Sequence, residues 1–281
     1  MTETPASVPA VSPAFAAELA AVAARIAETA GRRIVELRDA GVDVAATKSS
    51  ATDVVTAADH EAERLVTDLI REARPDDGVL GEEGASDSGT TGITWVVDPI
   101  DGTVNYLYDL PIFSVSIAAT VTDPDAFADG RRAIAGAVSA PRSGELFVAA
   151  QGGGATRNGV PIRVSGQQDL GLALVGTGFG YTAERRAEQA EVVARVLPRI
   201  RDIRRLGSAA YDLCMVASGR LDAYYERGLQ PWDYAAAALI ASEAGAELLG
   251  VDAQTPPGEP LLLAAPPAIA RALHDTVSAK R

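Results

Sequence analysis

The run ITWVVDPIDGT, residues 93–103, constrains this chain more than any other stretch. Its first five residues, apolar apart from one threonine and of strand length, mark a strand buried in a core. That strand runs directly into Asp98, Pro99, Asp101, Gly102 and Thr103, so two carboxylates stand at the end of a buried element, where loops reach ligands. Pro99 sets a bend between them, and both carboxylates can point to one side. Aspartate beside Pro and Gly is also ordinary turn chemistry. The other reading is a pair of hard oxygen donors, of the kind Mg2+ takes together with waters and phosphate oxygens.

A carboxylate pair needs a reason in a chain that is already acidic. Lys and Arg number 25 against 38 Asp and Glu, a formal net charge of −13. No stretch clusters enough basic residues to neutralise a phosphate backbone, so a direct nucleic acid ligand is not expected. An anionic substrate would have to be held by something other than net charge, and bound divalent cations meet that need. The 281 residues, 47% hydrophobic and 22% charged, suffice for one large core or two modest ones. The lone Cys214 excludes an internal disulfide and points to a reducing compartment, by default the cytoplasm. Residues 1–12, MTETPASVPAVS, carry neither a basic start nor an apolar run and read as a flexible tail. No segment approaches the ~20 apolar residues that cross a bilayer, so no membrane partner is expected.

Phe15, Leu19, Val22, Ile26, Ile34 and Leu37 recur at helical steps and predict an amphipathic helix ending near Gly41. An extended segment then leads to Thr56, a plausible cap, and to a helix with Ala62, Leu65, Val66, Leu69 and Ile70 on one face, stopped by Pro75. GVLGEEG, ITWVVD, IFSVSIAATV, RAIAGAVSA and GELFVAAQGGG read as strands punctuated by Gly and Pro. Beyond residue 150 strands alternate with helices expected over 184–196, 209–217, 232–244 and the C-terminal stretch. The expected organisation is an α+β lobe over 13–150, carrying most of the acidic site, and an α/β lobe over 151–281.

Asp98 and Asp101 have company. Glu82 and Glu83 follow an apolar strand in LGEEG, Asp59 lies in the first turn of a helix three residues after Thr56, and Asp233 follows Trp232 at the start of an alanine-rich helix. Each is unremarkable alone, as a surface acid or a first-turn acid favoured by the helix dipole. Together they repeat one arrangement, a carboxylate at an element end. Gly102 permits close backbone approach, and the N–H groups of Gly102 and Thr103 suit an anion. His60 and His274, the only histidines, and Cys214 read as surface or core residues, and Trp95 and Trp232 as packing beside the site.

GEE at 81–83, DPIDGT at 98–103 and WDYAAAALIASEAGA at 232–246 resemble the three signature segments of the inositol monophosphatase family of Mg2+-dependent, lithium-sensitive phosphatases. The similarity runs from about Phe15 to the C-terminal helix. It implies a layered α/β/α/β/α sandwich and a homodimer. By the same resemblance Glu82, Asp98, Asp101, Asp233 and the carbonyl of Ile100 would hold two or three Mg2+ ions. Asp59 and Thr103 would orient the attacking water, with Glu82 a further catalytic group. Gly102 and Thr103 would contact phosphate, and Glu226 and Asp233 the substrate's hydroxyls. The implied activity is hydrolysis of a phosphate monoester, foremost inositol 1-phosphate. Histidinol phosphate, fructose 1,6-bisphosphate, 3'-phosphoadenosine nucleotides or a non-catalytic partner role are the alternatives. Val104 and the Gly245-Ala246 pair depart from the usual pattern without removing a ligand, and Asp109 adds an acid to the loop. Replacing Asp101 by Asn is expected to leave the metal-free fold as stable or more so, because clustered carboxylates repel.

Overall fold

The structure, a computed structural model, describes residues 11–41, 44–47 and 54–279. Most of the expected N-terminal tail, and part of the extended segment before Thr56, lie outside the described residues.

Helix α1 (Pro13–Ala40) starts where Ser12 Oγ accepts from the Phe15 N–H at 3.2 Å, with Pro13 in the first turn, and ends before Gly41. Strands β1 (Val44–Thr47) and β2 (Val54–Thr56) form an antiparallel ribbon leading to α2 (Ala57–Ala73). Then follow β3 (Gly78–Gly81), β4 (Ser86–Asp87), β5 (Ile93–Asp101), the short α3 (Thr103–Leu107), β6 (Ser114–Thr122), β7 (Arg131–Ala140), β8 (Glu145–Ala150), β9 (Gly154–Arg157) and β10 (Val160–Pro161). These strands make one eight-stranded sheet, ordered β10-β9-β8-β7-β6-β5-β3-β4 and antiparallel except for β3 beside β5.

The remaining elements are β11 (Leu174–Thr177), α4 (Ala183–Val196), β12 (Asp202–Arg204), α5 (Ala209–Ala217), β13 (Ala223–Glu226), α6 (Pro231–Glu243), β14 (Glu247–Leu249), β15 (Leu262–Ala265) and α7 (Pro267–Ser278). Their strands form a five-stranded sheet, β12-β11-β13-β15-β14, in which β11 runs parallel to both of its neighbours.

Three apolar clusters cement the layers. Leu19, Ile26 and Ile34 of α1 and Val66 and Ile70 of α2 pack on Trp95, Val97 and Ile117 of the large sheet. Helices α5 and α6 lie between the sheets, where Leu213, Val216 and Ile240 meet Val96 and Val138 on one side and Tyr224 and Leu262 on the other. On the outer face of the small sheet, Val192 and Val196 of α4 and Ile269 and Leu273 of α7 cover Val175 and Leu263. The order is α/β/α/β/α, as expected. Because both faces of β5 are covered, its first five residues, Ile93 to Val97, are apolar apart from Thr94, without the alternation of a half-exposed strand.

Two details of packing position the acidic residues. Strand β5 pairs with β6 as Asp98 with Ser116 and Asp101 with Ser114, so two residues of β5, Pro99 and Ile100, oppose one of β6, Val115. This bulge at Pro99–Ile100 reverses the in-and-out alternation. Val96 faces α5 and α6, whereas Ile100, four residues on, faces α1 and α2. Without the bulge Asp98 and Asp101, an odd number of residues apart, would point to opposite faces. On α6, Ala236 sits so close to β7 that a Cβ on Gly136 would come within 3.0 Å of its Cα. That contact draws the N-terminal turn of α6 down to the sheet, where the Trp232 carbonyl accepts from Ser116 Oγ at 3.2 Å.

Candidate active site

The bulge and the close seat of α6 bring Asp98, Asp101 and Asp233 together, with one carboxylate oxygen from each inside a 4.8 Å span. The parallel pairing of Gly81 with Val97 carries Glu82 alongside Asp98; the Glu82 N–H donates to the Val97 carbonyl at 3.2 Å, and its side chain shares a hydrogen bond with Asp98. These residues form the floor of a cleft of about 470 Å³ that is also lined by Ile100, Gly102, Thr103 and Trp232. Trp95, by contrast, lies in the core away from the cleft, its indole N–H donating to Asp77 at 3.0 Å. Gly102 has φ of 100°, and an added Cβ would crowd the carbonyls of Gly207 and Ile112, so only glycine fits the approach to α3.

Asp59 is fixed by the cap it helps to build. Its Oδ2 accepts from the Thr56 N–H at 2.7 Å and from Thr56 Oγ1 at 2.6 Å, while Oδ1 accepts from Thr103 Oγ1 at 3.2 Å. Thr103 Oγ1 also lies 3.1 Å from the Ile100 carbonyl. The expected Asp59–Thr103 pair is therefore assembled beside the acidic floor. Glu226, at the end of β13, is partly buried and accepts from the Tyr224 hydroxyl. It opens on an inner pocket of about 130 Å³, shared with Asp101, Arg205, Asp212 and Asp233.

Electrostatically the floor is unbalanced. Burial, then the neighbouring Glu82, Asp101 and Asp233, push the Asp98 carboxyl well above its usual range, and burial with Glu82 and Asp101 does the same to Asp233. Burial also raises Asp59 and lifts Glu226 to about 7. Asp101 is raised by burial but held down by four donors: Ser208 Oγ at 2.5 Å, the N–H groups of Ala210 at 2.8 Å and Ala209 at 3.1 Å, and Ser114 Oγ at 3.3 Å. It thus serves as the anion at the N-terminus of α5. The expectation for Asp101→Asn needs correcting on this point. An Asn amide would turn a donor toward these donors, and that loss offsets the relief of repulsion.

Sequence reasoning missed Glu63. Buried on α2 one turn after Asp59, it accepts from the N–H of Glu83 at 2.8 Å and of Ala85 at 3.0 Å, fixing the turn that presents Glu82. The i,i+4 spacing of Asp59 and Glu63 was the available signal. Asp212 was missed too. It is buried on α5, raised well above the carboxylate range by burial and by Glu226, and its Oδ1 has no hydrogen-bond partner. Ser114 and Ser208, which hold Asp101, come from segments far apart in the chain. His60 is half-exposed with Nδ1 3.8 Å from Glu83, and Cys214 is buried in the core.

Three carboxylates, hard oxygen donors crowded at one point and partly desolvated, fit a divalent cation such as Mg2+ better than a softer metal. Fold and floor together define a candidate metal centre in a five-layer α/β sandwich. The chain belongs to the inositol monophosphatase family, whose model matches residues 15–281. It is 47% identical over 255 residues to the inositol-1-monophosphatase SuhB of Mycobacterium tuberculosis, covering 87% of this chain and 84% of that one. It is 38% identical over 226 residues to the Nus factor SuhB of Escherichia coli, covering 80% and 82%. The solved extragenic suppressor protein suhB of Bartonella henselae superposes with a TM-score of 0.84 at 31% identity, over 94% of this chain and 100% of that one.

Two outcomes follow from the geometry. Glu63→Gln presents an NH2 group to one of two N–H donors, so the Glu82 turn should loosen. Mg2+ affinity measured by calorimetry is expected to fall about tenfold or more, the worth of ~1.4 kcal/mol; unchanged affinity would show that Glu63 only packs. The second outcome concerns pH. Asp59, Asp98, Asp101, Asp233 and Glu226 hold their protons more tightly folded than unfolded. Their contribution to stability is fully present below the unfolded carboxylate range and is lost as pH rises through the folded values. The Tm of metal-free protein should therefore fall between about pH 5 and pH 8, and saturating Mg2+ should flatten the slope. A metal-free Tm that rises over that interval would contradict the electrostatics described.

Proposed function

We propose that this chain, a phosphatase of the inositol monophosphatase family, hydrolyses inositol 1-phosphate to myo-inositol and phosphate with Mg2+ as its cofactor. The observation that carries the proposal is the convergence of Asp98, Asp101 and Asp233 within 4.8 Å beside the Asp59–Thr103 pair. Glu82, Asp98, Asp101, Asp233 and the Ile100 carbonyl are the residues that would hold two or three ions. Bound there, Mg2+ supplies positive charge that neutralises the phosphoryl oxygens and acidifies a water.

The chain's own groups do the rest. Asp59 accepts from Thr103 Oγ1, leaving a hydroxyl lone pair to hold the attacking water, and burial, which raises its pKa, favours its taking up a proton. Glu82, beside Asp98 at the end of the neighbouring parallel strand, backs the same water. The Gly102 and Thr103 N–H groups face the phosphate, and Asp233 and Glu226 accept hydrogen bonds from the ring hydroxyls. The wall of Trp232 limits water around the ester. A purely non-catalytic reading is disfavoured because every carboxylate of the constellation is present, and the Nus-factor name belongs to the relative that carries it. We place the enzyme in the cytoplasm, as a homodimer acting on a small phosphate ester.

The test is phosphate release from inositol 1-phosphate by purified protein. Hydrolysis should require Mg2+, fall ~100-fold or more in excess EDTA and be inhibited by Li+. Glu226→Gln should lower kcat/KM for inositol 1-phosphate about tenfold, yet barely touch p-nitrophenyl phosphate, which lacks the hydroxyls. Full activity in EDTA would contradict the metal chemistry, and an equal loss on both esters would assign Glu226 to the fold.

A further inference from the structure

Two short runs on neighbouring strands fit each other in a way that the acidic floor does not require. Strands β11 and β13 run parallel, with Gly176 beside Tyr224 and Thr177 beside Tyr225. One step further on, a Cβ on Gly178 would collide with the Glu226 carboxylate. A Cβ on Gly176 would come to 3.0 Å from the Tyr224 ring and 3.3 Å from Asp212 Oδ1. The two glycines of GTG, residues 176–178, thus clear the space that the first tyrosine and the glutamate of YYE, residues 224–226, occupy.

Side chains two residues apart on a strand share a face. Tyr224 and Glu226 therefore point the same way, toward the layer of α5 and α6, whereas Tyr225 packs on the outer side with α4 and α7. Tyr224 is fully buried, and its hydroxyl donates to Glu226 Oε2. Burial, with Glu226 and Asp212 beside it, pushes that hydroxyl well above its ordinary range, so it stays a donor. The core grips the ring, and the hydroxyl is aimed at a carboxylate on the wall of the inner pocket.

The same bond bears on charge. Burial raises Glu226 to about 7, the Tyr224 hydroxyl and Arg205 pull it down, and Asp101 pushes it up. The titratable and charged groups that share the pocket are Arg205 and Asp212 at the start of α5, Asp101 of β5, Asp233 of α6, and Tyr181 and Arg227 of the loops. A hydroxyl bonded to an ionised carboxylate favours that form, and the ionised form is the stronger acceptor.

We propose that Tyr224 is a positioning residue for the alcohol half of the substrate: its buried hydroxyl keeps Glu226 an ionised acceptor, aimed into the inner pocket, for the substrate's hydroxyls. Discrimination between a hydroxyl-bearing alcohol and a plain one then depends on pH. This rests on the hydrolase reading above and adds to it a residue that acts only through Glu226.

The experiment follows the ratio of kcat/KM for inositol 1-phosphate to kcat/KM for p-nitrophenyl phosphate, in Mg2+, from about pH 6 to about pH 9. Titration of the acidic floor affects both esters and cancels in the ratio. In the wild type the ratio should rise with pH through about 7, as Glu226 ionises. Tyr224→Phe keeps the ring and removes the donor, so Glu226 holds its proton to higher pH. Its ratio should lie about tenfold below wild type near pH 7 and recover to within about threefold by pH 9. A wild-type ratio flat in pH, a variant ratio equal to wild type throughout, or a low ratio that never recovers would overturn the proposal, the last by assigning Tyr224 to packing alone. Carbon-13 NMR of carboxyl-labelled glutamates reads the titration without turnover, the Glu226 signal being the one lost in Glu226→Gln. Its midpoint should lie higher in Tyr224→Phe by about half a pH unit or more; an unmoved or lowered midpoint overturns the proposal. If inositol 1-phosphate is not hydrolysed at all, the hydrolase reading fails, and this midpoint alone decides whether Tyr224 governs Glu226.

Discussion

Mutual repulsion of carboxylates is the constraint around which this molecule is organised. Three carboxylate oxygens inside 4.8 Å cost roughly 3 to 4 kcal/mol per ionised pair at an effective dielectric constant near 20. Three such pairs approach the ~5 to 15 kcal/mol by which a whole domain is stable. The floor therefore stays partly protonated or recruits cations. A fold that concentrates its charge in this way needs a framework rigid enough to hold the groups together against the repulsion.

The five layers supply that framework through backbone geometry more than through side-chain contact. The β5 bulge turns Asp98 and Asp101 to one face, the parallel register of β3 brings Glu82 beside them, and the backbone-close contact of α6 with β7 seats Asp233. The carboxylates are not equivalent. Asp101 is satisfied by the start of α5 and two serines, and Asp59 by its own cap. Among the described residues Asp98 accepts from the Ile100 N–H at 3.0 Å and shares a bond with Glu82, and Asp233 accepts from the Gln230 N–H at 2.7 Å. These two are the groups left for a cation to balance.

Much of this was legible in the sequence because it is local. The buried strand, the helix cap at Thr56, the turn at Gly102 and the candidate carboxylates each announce themselves within a few residues. The five-layer order followed from the family resemblance of ordered motifs spread along the chain. What stayed hidden depends on long-range register. The bend at Pro99 was legible, but not that it forms as a bulge against β6, and Asp101 reads as a turn residue until α5, more than 100 residues on, arrives as its donor. Glu63 looks like one more helix-surface acid until the Glu82 turn folds over it.

The central claim, that buried carboxylates hold their protons until a divalent cation replaces them, is tested most directly by Mg2+ titration calorimetry of the purified protein near pH 6.5, repeated in buffers of different ionisation enthalpy. Metal binding to protonated ligands must release protons. The account predicts saturable Mg2+ binding with measurable proton release, which diminishes as pH is raised toward 8. Binding without proton release at any pH, or no binding at all, would contradict it.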